Sequence, residues 1–164
     1  MMRHPILGKS KVLSEGKKSM KMLLDTNIFV HAHNHASPHQ EKAAGVLREA
    51  LDGQLEVCIT SQILYEFFSV VTNVRRVHHP LSTDQAASIC QDLWISGAIE
   101  IIEPQITTPS LVFELTRKHG ISGAELFDCV LAAIAKENHV KMLLTENVRD
   151  FEKYEFLTIR NPFE

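Results

Sequence analysis

Apolar residues along the chain follow two rhythms. Short, mostly apolar runs rich in β-formers lie at Met22–Leu24, Leu55–Ile59, Ile99–Ile102, Val140–Leu144 and Phe156–Ile159. Between them, apolar residues recur every three or four positions over longer stretches. The runs predict buried strands and the stretches predict amphipathic helices. Ser37-Pro38-His39-Gln40 offers an N-cap, a proline at the first helical position and a capping-box partner, for a helix to about Leu51 that Asp52-Gly53 stops. A second helical pattern runs from about Ser61 to Arg76, and Ser82-Thr83-Asp84-Gln85 opens another to about Ser96. Thr108-Pro109 caps a helix to about His119, and Ser122-Gly123-Ala124-Glu125 is a capping box for one reaching about Asn138. Strands alternating with helices, often in pairs, predict a three-layer α/β/α sandwich around a mainly parallel central sheet. No internal repeat or low-complexity linker interrupts the pattern.

Two of the runs echo each other. Met22-Leu23-Leu24-Asp25-Thr26-Asn27 is matched by Met142-Leu143-Leu144-Thr145-Glu146-Asn147, and each passes abruptly from apolar to polar. Each copy reads as a buried strand that ends in a site. Ligands gather at the carboxyl ends of strands in an open parallel sheet, so both polar clusters are expected to face one crevice.

Composition narrows what that crevice serves. A chain of 164 residues with 45% hydrophobic content has the size of one ordinary domain, which we place at residues 21–164. Residues 1–20, rich in Lys, Ser and Gly, read as a flexible tail or extension, because Met20 and Met22 sit at the start of the first strand. Seventeen basic residues against 20 acidic ones leave a net charge of −3, so no bulk positive field draws in nucleic acid. Contacts of that kind would come from local patches: Arg75-Arg76 with His78-His79, Arg117-Lys118-His119, Arg149 with Lys153, or the lysines of the tail. Cys58, Cys90 and Cys129 are widely spaced with no C-x-x-C pair, which fits a reducing cytoplasm. No apolar run approaches the ~20 residues of a membrane span, so a soluble protein with no membrane partner is expected.

Three acids stand in apolar surroundings. Asp25 ends an apolar run, where an unpartnered carboxylate is costly to desolvate. Glu66 is one turn from both Ile63 and Val70 and is flanked by Tyr65, Phe67 and Phe68, while Asp128 shares a helical stripe with Leu131, Ala132 and Ala135. Taken singly, each has an ordinary reading as a helix cap, an ion-pair partner or an exposed group. Yet no Arg or Lys lies within one helical turn of Glu66 or Asp128, and Lys21 is roughly 13 Å of extended backbone from Asp25. Carboxylates gathered in one crevice repel unless a cation is bound. Oxygen ligands favour Mg²⁺, with Mn²⁺ as a substitute, and the natural chemistry is metal-assisted phosphodiester hydrolysis.

Other signals carry less. Gly8-Lys9-Ser10 resembles the end of a phosphate-binding loop, but Arg3 occupies the place of its first glycine and no strand precedes it. His31, His33, His35 and His39 read as surface histidines rather than a transition-metal site. Glu125 pairs with Asp128 at i, i+3, but its capping-box position accounts for it. An aspartyl phosphatase of the haloacid dehalogenase type needs a second Asp where Asn27 stands, and Cys129 lies beside Asp128 in an apolar helix, which disfavours a thiolate nucleophile.

Asp25-Thr26-Asn27 after Met-Leu-Leu, Glu66 on the helix after the second strand, Asp128 in Phe-Asp-Cys-Val-Leu-Ala-Ala-Ile-Ala, and Leu-Leu-Thr-Glu-Asn-Val-Arg-Asp-Phe at 143–151 together resemble the PIN domain. Their order and spacing, over about residues 21–163, are similar to the VapC-type ribonuclease toxins of bacterial type II toxin–antitoxin pairs. The resemblance implies a Mg²⁺-dependent endoribonuclease with Asp25, Glu66 and Asp128 as catalytic and metal-binding acids. The family's fourth acid falls where this chain has Asn147, so Asp150 or Asn147 takes that role, with Glu146 a weaker substitute. Thr26 and Thr145 match hydroxyls that orient the carboxylates, though each is equally suited to cap a helix, and Arg149 is a candidate RNA contact. The resemblance also implies an RNA substrate, a cognate antitoxin that blocks the crevice, and a homodimer. Two other readings keep the same residues: a catalytically silent PIN-fold binding module, and a PIN nuclease of RNA processing without an antitoxin.

Overall fold

Residues 20–164 are described by the computed structural model. The expected tail, apart from Met20, and the Gly8-Lys9-Ser10 segment lie outside the described residues. The elements run β1 (Met22–Leu24), α1 (Thr26–His33), α2 (Gln40–Leu51), β2 (Val57–Ile59), α3 (Ser61–Val71), α4 (Thr83–Ile95), β3 (Glu100–Ile101), α5 (Thr108–His119), α6 (Glu125–Glu137), β4 (Met142–Leu144), α7 (Val148–Phe151) and β5 (Thr158–Arg160). All four strand pairings are parallel, in the order β3-β2-β1-β4-β5. This is the expected α/β sandwich with its parallel sheet.

Strand order decides where a ligand can sit. From β1 the chain steps outward to β2 and β3, then crosses back to β4 and β5 on the other side of β1. Right-handed crossovers therefore put α1–α4 on one face and α5–α7 on the opposite face. Helix contacts follow that division, with α1 against α2 and α3, α3 against α4, α5 against α6, and α6 against α7. The strand order reverses between β1 and β4, and the crevice outside their carboxyl ends is the topological switch point. Register makes the two hexapeptides neighbours there: Met22, Leu23 and Leu24 lie opposite Met142, Leu143 and Leu144.

The core lies between the sheet and its helices. Leu23, Leu24, Cys58, Ile59 and Leu143 are fully or almost fully buried, as the unbroken apolar character of a doubly covered parallel strand requires. On α3 the stripe Ile63, Phe67 and Val71 is buried at four-residue spacing, and the Phe67 ring meets Phe29 of α1 edge-on at 6.3 Å. On α6 the run Leu131–Ala135 is buried, its small residues letting the helix lie close to the sheet.

Several sequence-based boundaries need correction. The Ser37 capping box does not form, because the Ser37 hydroxyl is engaged by His31 Nδ1 at 2.7 Å and by the His39 amide, and Gln40 donates instead to the Ala32 carbonyl. Helix α2 starts at Gln40 without a side-chain cap. Glu125 does not close a box at α6 either, because its carboxylate pairs with Lys153 at 3.0 Å. Helix α3 ends at Val71 rather than Arg76: the Thr72 hydroxyl donates to the Phe68 carbonyl, and the Leu81 amide bonds Val71 and draws the chain back. Helix α5 begins after Thr107, one residue earlier than expected and without a side-chain cap, and the last strand is Thr158–Arg160 rather than Phe156–Ile159. The Ser82–Gln85 capping box forms as expected, with both reciprocal bonds present.

Leu143 lies fully buried on the strand pair that carries the switch point. Leu143→Ala is expected to cost about 3 kcal/mol of unfolding free energy in urea, against about 1 kcal/mol for Ser82→Ala at the exposed cap. Equal costs would mean that the β1–β4 pair is not at the centre of the core.

Candidate active site

Asp25 is the first residue past β1, only 7% exposed, and it caps α1 by accepting the Thr26 amide at 2.7 Å on Oδ1. Its other oxygen, Oδ2, accepts the Thr145 hydroxyl at 2.6 Å and the Asn27 side-chain amide at 2.8 Å. The parallel register sets up this meeting. Asp25 continues β1 and bonds the Leu144 carbonyl through its own amide, which leaves Thr145, the residue after Leu144, alongside it. Asn27 also donates to Thr145 Oγ1, and its carbonyl oxygen accepts the Glu146 amide. The polar ends of the two hexapeptides are thus cross-linked by side chains.

Glu66 approaches from α3, beside that helix's buried stripe. Its Oε2 accepts the Thr26 hydroxyl at 2.8 Å, and its Oε1 accepts the Gln62 amide at 2.8 Å. Gln62 Nε2 also donates to the Phe127 carbonyl on α6, which ties the two walls of the site together. Asp128 is half-buried one residue further along α6, with no side-chain hydrogen bond or ion pair among the described residues. Asp25, Glu66, Asp128 and Asn147 all line one cleft of about 590 Å³.

The expected site residues divide clearly. Asp25, Glu66, Asp128, Thr26 and Asn147 face the cleft. Thr145 is fully buried beneath it and also accepts the Asn147 amide. Asp150 is exposed on α7 and does not line the cleft, although its charge acts on both Asp25 and Asp128. Glu146 turns away: its carboxylate lies 2.7 Å from His31 Nε2 and 3.6 Å from His39 Nε2. His31 and His39 are therefore not simple surface groups; they clamp Glu146, with the His39 ring stacked on Phe163 at 4.6 Å. Arg149 is exposed on α7 and absent from the cleft lining, whereas Arg76 lines it. Asn27 and Gln62 escaped the sequence reading as site residues. The i, i+4 spacing of Gln62 and Glu66 was the available signal for one, and the Asn shared by both hexapeptides for the other. Cys129 is fully buried, its thiol donating to the Val112 carbonyl, and burial pushes its pKa up, which leaves it no nucleophilic role.

No Lys or Arg pairs with Asp25, Glu66 or Asp128 among the described residues; Lys21 pairs with Glu100 and Lys153 with Glu125. The acids therefore stress one another. Burial pushes the Asp25 pKa up, against the hydrogen bonds from Thr145 and Thr26, and the charges of Glu66 and Asp150 push the same way as burial. Burial also raises Asp128, to about 6, with Asp25, Asp150 and Glu66 adding to the effect and Lys153 opposing it weakly. The carboxylates of Asp25, Glu66 and Asp128 and the side-chain carbonyl of Asn147 are oxygen ligands of the kind a hard divalent cation takes. Among the described residues, no three Asp, Glu, His or Cys side chains close on a metal ion by themselves.

A raised carboxyl pKa means that the folded chain holds its proton more tightly than the unfolded chain. Stability is therefore lost as pH rises from the ordinary value of 3.8 through about 6. In chelator, Asp128→Asn is expected to melt above wild type near pH ~7.5, and the gap should close by about pH 4. A variant melting at or below wild type near neutrality would show that Asp128 is not under this electrostatic stress.

Comparison with known proteins gives the same picture. The chain matches the family described as PIN domain over residues 22–157. It is 27% identical over 139 residues to ribonuclease VapC24 of Mycobacterium tuberculosis, covering 85% of this chain and 94% of that protein. Ribonuclease VapC43 of the same organism is 24% identical over 143 residues, covering 87% and 96%. Among solved structures, VapBC2 from Rickettsia felis, bound to a DNA fragment of its promoter, superposes with a TM-score of 0.61 at 24% identity, covering 87% of this chain and 98% of that one. VapC20 of M. tuberculosis, described as a toxin that cleaves the sarcin–ricin loop, superposes with a TM-score of 0.57 at 12% identity, covering 74% and 86%. With a family match over residues 22–157, most of its length, the chain belongs to the PIN domain family.

Proposed function

We propose that the protein is a Mg²⁺-dependent endoribonuclease of the VapC type, hydrolysing RNA phosphodiester bonds as the toxin of a toxin–antitoxin pair. The observation that carries this reading is the cleft itself: Asp25, Glu66 and Asp128 line it together with no basic side chain paired to any of them among the described residues. Such a cluster is costly unless a cation completes it. The ribonucleases among the chain's relatives support the activity, and the toxin–antitoxin complexes among its structural neighbours support a cognate antitoxin. A homodimer in the cytoplasm belongs to the same reading.

In this reading Asp25, Glu66 and Asp128 hold Mg²⁺, with Asn147 or Asp150 as the fourth oxygen donor. When bound, the ion supplies Lewis-acid activation of water and neutralises phosphate charge. The remaining work belongs to the chain. Thr145 and Asn27 aim Oδ2 of Asp25, the Thr26 amide holds Oδ1, and Thr26 and Gln62 fix the two oxygens of Glu66. These donors orient each carboxylate, as outer-shell hydrogen bonds do for metal-binding acids. Asp128 lacks such donors, and burial together with the neighbouring acids raises its pKa to about 6.

Three measurements test the reading. RNA cleavage should require Mg²⁺, stop in excess EDTA and be lost in Asp25→Asn. Thr145→Val should lower cleavage by about 10- to 100-fold, with Thr145→Ser restoring most of it. Calorimetry should detect Mn²⁺ binding to wild type and not to Asp25→Asn paired with Asp128→Asn. Cleavage that persists in EDTA or in that double variant would overturn the mechanism, and no metal binding with no effect of the acids would favour a silent PIN-fold binding module.

A further inference from the structure

The acid cleft has a rim of different chemistry. Tyr65 and Phe127 both line it and are 72% and 58% exposed. Each immediately precedes one of the acids, Tyr65 before Glu66 on α3 and Phe127 before Asp128 on α6. Gln62 of α3 donates to the Phe127 carbonyl of α6, so the two rings are carried on helices bonded to each other at the cleft. Two large rings left in water beside a catalytic cleft bury little apolar area in the folded chain. Rings so placed suit a planar partner.

Arg76 completes the rim. It lines the cleft, is exposed, and makes no ion pair among the described residues. Its position is set by the turn that ends α3: Asn73 accepts the Arg75 amide on its side chain and the Arg76 amide on its carbonyl, and Val77 is buried behind. A cleft of acids repels a phosphodiester backbone, and a guanidinium held at its edge offsets that repulsion for one phosphate.

Resting on the ribonuclease reading above, we propose that Tyr65, Phe127 and Arg76 form a substrate grip for unpaired RNA, the rings stacking an unstacked base and Arg76 holding a flanking phosphate. Bases in a duplex already stack on one another and present no free face. The grip therefore selects single strands and loops over helices, without a hydrogen-bond code for sequence.

The test uses the full chain, a short single-stranded RNA and the same RNA in a duplex, with binding read by fluorescence anisotropy in chelator and cleavage read separately with Mg²⁺. Wild type should prefer the single strand. Tyr65→Ala with Phe127→Ala should weaken single-strand binding roughly 5- to 100-fold and raise KM more than it lowers kcat, while Tyr65→Phe with Phe127→Tyr should keep the affinity. Arg76→Ala should reduce the dependence of log affinity on log salt by about 0.7. Thermal melts confirm folding, since all three side chains are exposed. Unchanged binding and KM in the double alanine variant, or equal affinity for duplex, would overturn the grip and leave the ribonuclease reading intact. Loss of single-strand binding in that variant, with no cleavage by wild type under any metal, would uphold the grip and overturn the nuclease.

Discussion

A carboxylate at the buried end of an apolar strand is a liability that only its neighbours can offset, and Asp25 is where this chain meets that constraint. Its two oxygens receive an amide of the helix it caps, a hydroxyl from the strand beside it and an amide from two residues on. Each donor comes from a different level of the fold. The first needs α1 to begin at Thr26, the second needs β1 and β4 paired in one register, and the third needs the Asn27 side chain to turn back onto Asp25 from the first turn of α1. A shift of one residue between β1 and β4 would turn Thr145 to the other face of the sheet and leave Asp25 short of a donor. The strand order, the register and the cap are thus tied to one side chain.

The same constraint explains an imbalance in the surface charge near the cleft. Lys21 and Lys153 are committed elsewhere, to Glu100 and Glu125, and Arg76, which lines the cleft, pairs with none of the acids among the described residues. Glu146, in the loop after β4, is held away from the cleft by His31 and His39. The result is a local concentration of negative charge that the folded chain tolerates at some cost in stability, the usual mark of residues placed for chemistry rather than for folding. The all-apolar strands and the Phe29–Phe67 core behind them hold that arrangement in place.

What was legible in the sequence was local. Buried strands announced themselves as apolar runs, and Asp25, Glu66 and Asp128 stood out because strand ends and helical periods fix which way a side chain points. The Ser82 cap was readable because its partner, Gln85, is three residues away. The Ser37 and Glu125 caps failed for the opposite reason: His31 and Lys153 claimed them, and nothing in a window of a few residues shows such claims. The early end of α3 depends on Leu81 bonding back to Val71 across a loop, which is likewise invisible to periodicity. Arg76 belongs to the same class, since a helix extended to Arg76 would have carried it away from the turn that presents it to the cleft.

The bonds in and beside the cleft span most of the chain: Asp25 and Thr145 are 120 residues apart, Asn27 and Thr145 118, and beside the cleft His31 and Glu146 115. Contacts of such long sequence separation close late, after shorter loops have paid their entropy and brought the ends of the chain near one another. Because β4 must dock beside β1 before Thr145 can reach Asp25, the cleft's chemistry is gated by completion of the sheet, and a half-folded molecule carries the acids but not the site.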